Sequence, residues 1–217
     1  MHLLTAKYFE LKKMEDFKMN YLLLAFMWTA YCALHSYLIS ISFTNLMHRL
    51  LKEYYAFYRL FYVLVSVFTL IPIFKYSALD SNAIIIYGQY LNIARYILMS
   101  GSLLMFIWAF FFDYDSLHFF GVRQMLTFRK TKETNPSNEI KRSGFLGIVR
   151  HPMYFAVMVY LLCRMYTMAD IIMSSVLIVY TIIGTMLEEK KLVLEFGETY
   201  IKYQNEVPML IPFTKAK

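Results

Sequence analysis

The last third of the sequence carries two short groups of charged or titratable residues. Arg150 is followed directly by His151, and a pair of carboxylates stands at Glu188 and Glu189. A cation, an imidazole and two carboxylates can bind a ligand that carries charges of both signs, and an imidazole can also move a proton near neutral pH. These residue types indicate a binding or catalytic site if the fold brings the two groups together.

Two apolar runs lie between these groups and determine how they are placed. The runs cover residues 153–168 and 171–187, and only Ala169 and Asp170 separate them. Two helices joined by so short a turn are antiparallel neighbours of similar length. The sequence therefore predicts a helical hairpin that returns the glutamates to the same end as the arginine and the histidine.

The composition indicates that this hairpin belongs to a membrane protein. Hydrophobic residues make up 59% of the 217 residues, above the roughly 45 to 50% that is typical of soluble domains. The net charge of +7 is explained by cytoplasmic loops and anionic lipid headgroups, because no compact basic domain offers a surface for nucleic acid. We therefore expect membrane lipids as partners and no nucleic acid. Cys32 and Cys163 lie in apolar runs and lack the spacing of a metal site, so no metal is expected.

Apolar runs upstream predict three further spans, which gives an all-α polytopic membrane protein with about five transmembrane helices. The three spans are expected at residues 20–43, 56–74 and 91–112, and each is long enough for a hydrocarbon core of about 30 Å. Three regions follow: an amphipathic surface segment at 1–19, a three-helix scaffold at 20–112, and a region at 113–217 that contains a cytoplasmic loop, the hairpin and a cytoplasmic tail.

Basic residues predict the orientation of these spans. The loop after the third span carries seven lysines and arginines, and the positive-inside bias places it, together with the tail, in the cytoplasm. The N-terminus then lies outside. His35, in the second half of the first span, approaches the cytoplasmic half of the membrane where His151 stands. The two histidines could share one cavity.

Each candidate residue also has an explanation that needs no ligand. Arg150 can act as an interfacial anchor with Glu188 as its counter-ion, because charges at membrane depth usually pair. Pro152 suits the first turn of a helix, where its missing N–H costs nothing. His35 on an apolar face is more often a hydrogen-bonded core histidine than a catalytic group.

A longer pattern favours the functional interpretation. Ser143-Gly144 is followed by RHPMY at 150–154, EEKKL at 188–192, FGETY at 196–200 and VPMLIP at 207–212. This order and spacing resemble the C-terminal half of the integral-membrane methyltransferases, a superfamily that includes isoprenylcysteine carboxyl methyltransferase and the phospholipid methyltransferases. Upstream, the sequence is similar to the branch that contains methanethiol S-methyltransferase and nurim. The residues that carry this second similarity are His35-Ser36, Tyr58-Arg59 and Gly121-Val122-Arg123-Gln124.

The resemblance implies S-adenosyl-L-methionine as the cofactor and a small-molecule or lipid-like methyl acceptor. Carried over position by position, the cofactor-binding residues are Gly144, Leu146, His151, Pro152, Met153, Tyr154, Glu188, Glu189 and Gln124. Arg150 and His151 suit the carboxylate of the cofactor, and Glu188 suits its ammonium group or ribose. Glu188 is preferred to Glu189 because it aligns with Leu192, Phe196 and Tyr203 on one helix face, whereas Glu189 is rotated by about 100°.

The expected catalytic residues are His151, Arg150 and His35. Methyl transfer is an in-line displacement that depends mainly on holding donor and acceptor together with water excluded. A thiol acceptor must also lose its proton, and His35 or His151 could take it. Gly184 and Leu146 stand where prenylcysteine enzymes have an arginine and a tyrosine, which disfavours a prenylcysteine carboxylate and leaves a thiol as the preferred acceptor.

Three alternatives remain open on the sequence. The acceptor could be a phospholipid amine or a prenylcysteine carboxylate. The chain could be a non-catalytic, nurim-like structural protein of the membrane. It could also bind a b-type haem through His35 and His151. In each case we expect a multi-pass protein, of the cell inner membrane in a prokaryote and of the endoplasmic reticulum or nuclear membrane in a eukaryote.

Overall fold

The structure, a computed structural model, describes residues 20–113, 126, 140 and 142–214. These residues form seven α-helices: α1 (Tyr21–Ile39), α2 (Ile41–Leu51), α3 (Tyr58–Ser77), α4 (Gln89–Trp108), α5 (Pro152–Arg164), α6 (Met168–Phe196) and α7 (Glu198–Glu206). In this part of the chain, β-type pairing is limited to one isolated bridge between Ala83 and Thr167. The predicted all-α class is confirmed. The surface segment predicted at 1–19 and most of the basic loop lie outside the described residues.

Four helical stretches of the described chain are long and apolar enough to cross a membrane. They are Tyr21–Ile39, Ile41–Ser77, Gln89–Asp113 and Met168–Phe196. The remaining apolar helix, α5, has only 13 residues, which at 1.5 Å per residue gives about 20 Å against a hydrocarbon core of about 30 Å. The predicted number of five crossings is therefore not confirmed.

The long helices alternate in direction between two ends of the bundle. At one end, which we call the turn end, Asp80 links the starts of α1 and α6. Its Oδ2 accepts a hydrogen bond from the backbone N–H of Ala169 at 3.0 Å and from the Tyr21 hydroxyl at 3.4 Å. The Tyr87 hydroxyl and Arg95 Nη1 donate to the carbonyl oxygens of Met165 and Cys163, which links the start of α4 to the end of α5. Helices α1, α4 and α6 therefore begin at the turn end, whereas α3 and α5 end there.

The turn of the C-terminal hairpin lies earlier than predicted. We predicted a break at Ala169 and Asp170, but the helices are separated by residues 165–167. The Thr167 side chain accepts from the backbone N–H of Asp170 at 3.1 Å, and the Asp170 carboxylate accepts from the N–H of Thr167 at 3.2 Å. This reciprocal pair is a capping box. The prediction was wrong because Asp170 is a charged capping residue of the first turn and not a loop residue.

Helix α6 carries the glutamate pair from the membrane into a polar region at the opposite end, which we call the site end. With 29 residues it is about 43 Å long, about two turns more than a hydrocarbon core requires. Gly197 ends it with a φ of +56°, a left-handed conformation that favours glycine. The chain then continues in α7.

Candidate functional site

A buried carboxylate, Glu189, lies at the centre of a polar cluster at the site end. Its Oε1 accepts from Arg150 Nε at 2.9 Å, from His151 Nε2 at 2.7 Å and from the Tyr200 hydroxyl at 2.7 Å. Its Oε2 accepts from Arg150 Nη2 at 2.7 Å and from the Gln204 amide at 2.6 Å. We call these five residues the Glu189 cluster. The predicted meeting of the two charged groups at one end of the hairpin is confirmed.

Arg150 is almost fully occupied by contacts within the protein. Besides its two bonds to Glu189, its Nη1 donates to the carbonyl oxygens of Gln204, at 3.0 Å, and Val207. The residue is only 5% exposed, and four of its five N–H donors are used. The geometry does not support the predicted contact of Arg150 with a ligand carboxylate. Arg150 joins α5, α6 and the tail instead.

The tail motif completes this joint through its backbone. The N–H groups of Arg150 and His151 donate to the carbonyl oxygens of Pro208, at 2.9 Å, and Met209, at 3.1 Å. These bonds satisfy backbone donors just before α5, where a helix start leaves N–H groups without partners. The VPMLIP motif therefore fixes the position of the Arg150-His151 pair, a role that the sequence pattern did not reveal.

His151 is buried, with 2% of its surface exposed. A carboxylate only accepts hydrogen bonds, so the 2.7 Å contact with Glu189 places a proton on Nε2. The Nδ1 edge faces Glu188 Oε2 at 3.8 Å, which is too long for a hydrogen bond. The ring stacks on Tyr154 with centroids 5.5 Å apart, and Pro152 starts α5 directly after it.

The two glutamates have different surroundings, as their rotation on the helix predicted. The Glu189 side chain is 8% exposed and the Glu188 side chain 38%. Our reason for preferring Glu188 was wrong, because Gly197 interrupts the helix and residues of α7 contact Glu189 instead. Within the described residues Glu188 makes no hydrogen bond. Its carboxylate is therefore the one of the pair that is open to a ligand.

Two buried tyrosines of α7 donate hydrogen bonds at the site end. Burial, and then the hydrogen bond to the Glu189 carboxylate, raise the pKa of Tyr200, and burial raises the pKa of Tyr203 to about 12. Both phenols therefore stay protonated and act as donors, Tyr200 to Glu189 and Tyr203 to the Leu146 carbonyl. Tyr200 and Gln204 were not predicted as site residues, although Tyr200 belongs to the FGETY motif.

Three further residues that the resemblance implied are Met153, Leu146 and Gly144. Met153 packs against Ala109 and Phe110, and Leu146 is buried. Gly144 has a φ of +65°, and a Cβ atom there would lie 2.5 Å from Asp113 Oδ1. Asp113 is buried and was not predicted as a site residue. Gly144 is thus required both by backbone conformation and by close packing.

Replacing Gly144 by alanine should lower the free energy of unfolding by about 1 to 3 kcal/mol, because alanine is strained at a positive φ and its methyl group displaces Asp113. The measurement is thermal unfolding of the detergent-purified protein. Gly88→Ala is the matched control, because Gly88 has a φ of −61° and a Cβ atom there meets nothing within 4 Å. Equal melting temperatures for the two variants would contradict this interpretation.

His35 lies deeper in the bundle and keeps one ring nitrogen available. The Ser66 hydroxyl donates to the carbonyl of Tyr62 at 2.8 Å, so it can only accept from His35 Nδ1, which is 2.9 Å away. A neutral His35 therefore has its proton on Nδ1 and a lone pair on Nε2. No described residue bonds this Nε2 atom. The ring stacks on Tyr31, with centroids 6.1 Å apart.

The structure does not bring His35 into the Glu189 cluster. The His35 ring contacts the Tyr180 ring, with centroids 6.4 Å apart. Tyr180 and Glu189 lie on the same helix, about 14 Å apart along its axis. The two histidines make no direct contact with each other, so one cavity shared by both stays a prediction. The bond of His151 Nε2 to Glu189 disfavours a haem ligated by both. The predicted residue Gln124 lies outside the described residues.

Comparison with known proteins gives one consistent group of relatives. The chain is 38% identical over 99 residues to a methanethiol S-methyltransferase of Crocosphaera subtropica, a match that covers 45% of this chain and 38% of the relative. It is 39% identical over 95 residues to the protein of that name from Pseudomonas deceptionensis, covering 43% and 36%. For methanethiol S-methyltransferase 1 of Bradyrhizobium diazoefficiens the identity is 30% over 118 residues, covering 54% and 40%.

These matches confirm the predicted similarity to the methanethiol S-methyltransferase branch. They span only about four-tenths of the length of the curated relatives. No family model matches the chain, and no solved structure matches it.

Proposed function

We propose that this protein is a membrane-embedded methyltransferase that uses S-adenosyl-L-methionine and methylates a small or lipophilic acceptor, preferably a thiol of the methanethiol type. The observation that carries the proposal is the open Glu188 carboxylate beside the buried Glu189 cluster, where the RHPMY, glutamate and VPMLIP motifs meet. The similarity to methanethiol S-methyltransferases favours sulfur as the accepting atom. The site end then faces the cytoplasm, in the cell inner membrane of a prokaryote or the endoplasmic reticulum or nuclear membrane of a eukaryote.

The residues of the site end fit the chemical groups of this cofactor. S-adenosyl-L-methionine supplies a methyl group on a sulfonium and also carries an ammonium group, a carboxylate and a ribose diol. Glu188 is the residue we assign to the ammonium group or the ribose hydroxyls, because its side chain is 38% exposed and its carboxylate makes no hydrogen bond in the described part of the chain. Gly144 offers backbone without a side chain. Tyr154 stacks on the His151 ring, and Met153 lies in the same first turn of α5.

The Glu189 cluster serves this site by holding its walls in position. Arg150 and Glu189 connect α5, α6 and the tail, and the residues proposed to contact the cofactor lie beside them on the same elements. Catalysis of methyl transfer depends on a fixed geometry between donor and acceptor. We therefore assign Arg150 and Glu189 as positioning residues.

His35 is the residue we propose as the base for a thiol acceptor. The bond that Nδ1 makes to Ser66 leaves the Nε2 lone pair available, and no described residue bonds that nitrogen. His151 is less suited, because its Nε2 proton is held by Glu189 and its Nδ1 edge faces a carboxylate. Loss of the thiol proton to His35 Nε2 would leave a thiolate. A bound cofactor would supply the methyl group to that sulfur, with its methyl–sulfonium bond broken and S-adenosylhomocysteine released.

Replacing Glu188 by glutamine should weaken binding of S-adenosylhomocysteine about tenfold to a hundredfold, because a charge-assisted hydrogen bond is replaced by a neutral one. The measurement is calorimetric titration of the purified protein. Glu195→Gln is the control, since it removes the same charge from an exposed position of the same helix. Unchanged affinity in Glu188→Gln would show that this carboxylate does not contact the cofactor.

Product analysis with methyl-labelled S-adenosyl-L-methionine tests the acceptor. We expect labelled dimethyl sulfide when methanethiol is supplied, and no labelled product with phosphatidylethanolamine or a prenylated cysteine. Label in a phospholipid would establish the phospholipid methyltransferase alternative, and label in a prenylcysteine ester the carboxyl methyltransferase alternative. Absence of any product together with absence of cofactor binding would favour the structural, nurim-like alternative.

A further inference from the structure

A polar cavity lies at the turn end of the bundle, far from the Glu189 cluster. It has a volume of about 440 Å³ and is bordered by the first turns of α4, the end of α5 and the start of α6. Two arginines, Arg95 and Arg164, face it together with Asp170 and Asn92. The function proposed above uses none of these residues.

Arg95 is held in place by aromatic rings but is not satisfied as a donor. Its guanidinium carbon lies 4.9, 4.7 and 5.7 Å from the ring centroids of Tyr87, Tyr96 and Tyr166, which stabilises the cation away from bulk water. Nη1 donates to the Cys163 carbonyl at 3.3 Å. Nε is buried and has no hydrogen-bond partner among the described residues. A buried, unpaired donor on a cation is costly, so this geometry indicates a missing anionic acceptor.

The other polar groups of the cavity define the charge of that acceptor. Arg164 Nε bonds Asp170 Oδ1 at 3.3 Å, and the other oxygen of Asp170 accepts from the Thr167 N–H. Two cations thus face one carboxylate that is already engaged, which leaves an excess positive charge. Asn92 Oδ1 is also buried and has no hydrogen-bond partner in the part of the chain that the structure describes, so the ligand would combine an anion with a nearby hydroxyl or ammonium donor.

The position of the cavity indicates where such a ligand comes from. Arg95 lies about 9 Å along α4 from its first residue, at the end of the bundle where several helices begin or end. Ile93, Ile97 and Leu98 on the same helix are more than half exposed and offer an apolar surface for acyl chains. Arginines near the ends of membrane-spanning helices reach the depth of lipid headgroups.

We propose that this cavity binds the phosphate group of a membrane phospholipid. The phosphate oxygens accept from Arg95 Nε and from the free amino groups of Arg164, and the headgroup donates to Asn92. Bidentate contact between arginine and phosphate gives such a site its specificity. The bound lipid links α4, α5 and α6 at the turn end.

The test is thermal unfolding of the detergent-purified protein during titration with phosphatidylglycerol, and in parallel with inorganic phosphate. We expect the lipid to raise the melting temperature by several degrees. In Arg95→Gln, the concentration needed for half of this shift should rise at least about tenfold. Arg49→Gln, which removes a charge from an exposed position of α2, should respond like the wild type.

Two further outcomes are decisive. If inorganic phosphate at the same concentration gives the full shift, the site binds a free anion and the lipid assignment is overturned. An Arg95→Gln variant that responds like the wild type would overturn the site itself. Should Arg95→Gln fail to fold, Arg164→Gln replaces it. The Arg164 side chain is 41% exposed, and its loss leaves the three tyrosine rings around Arg95 in place.

Discussion

Replacing Glu189 by alanine is expected to lower the free energy of unfolding by about 3 to 5 kcal/mol. The substitution leaves the buried Arg150 guanidinium without its counter-ion and removes the partner of the His151 Nε2 proton. It also removes the acceptor of the Tyr200 and Gln204 donors. Buried charges without partners carry a large desolvation penalty, which explains why one carboxylate should matter so much.

The measurement for this prediction is thermal unfolding in detergent, with an expected fall in melting temperature of roughly 10 °C. Glu188→Ala is the matched control, because the neighbouring carboxylate makes no hydrogen bond in the described part of the chain and its loss should shift the melting temperature by only a degree or two. If Glu189→Ala unfolds at the wild-type temperature, the cluster does not hold the site together.

Replacing His35 by alanine is expected to reduce turnover of a thiol acceptor about a hundredfold to ten-thousandfold at neutral pH. The base nitrogen Nε2 is lost, so the thiol must lose its proton to water. The defect should shrink as pH rises above the pKa of the acceptor thiol, because the thiolate then forms without a base. Turnover of the wild type and the variant would be compared across this range by the labelled product.

A control for this prediction exists in the same layer of the bundle. The Ser36 hydroxyl donates to Tyr180 at 3.2 Å, and Ser36→Ala removes this polar contact without touching the imidazole. We expect its turnover to stay close to that of the wild type at every pH. A His35→Ala variant with full turnover at neutral pH would contradict the role of His35 as the base.

The hairpin was predictable because it depends on lengths alone. Two apolar runs with a very short connection can only return the chain to the same end, and the contacts of Glu189 with Arg150 and His151 follow from that topology. The pairing of Arg150 with a carboxylate was also predictable, since charges near membrane depth require partners. This part of the fold can be predicted without knowledge of side-chain packing.

The division of roles between Glu188 and Glu189 was not predictable from the sequence. It depends on the direction in which α7 leaves Gly197, and a single positive φ changes that direction. The same limit applies to Tyr200 and Gln204, which reach Glu189 only after this change of direction. The separation of His35 from the cluster has another cause, because positive-inside reasoning places residues in one half of a membrane but does not measure distances within it.

The measurement that tests the central claim most directly is calorimetric titration of the detergent-purified wild-type protein with S-adenosylhomocysteine, the cofactor product that keeps the ammonium group and the ribose. We predict saturable binding with a dissociation constant in the micromolar range, roughly −8 kcal/mol. The contradicting result is a protein that shows a cooperative thermal unfolding transition, and is therefore folded, but gives no heat of binding. Such a protein would also fail to retain labelled S-adenosyl-L-methionine.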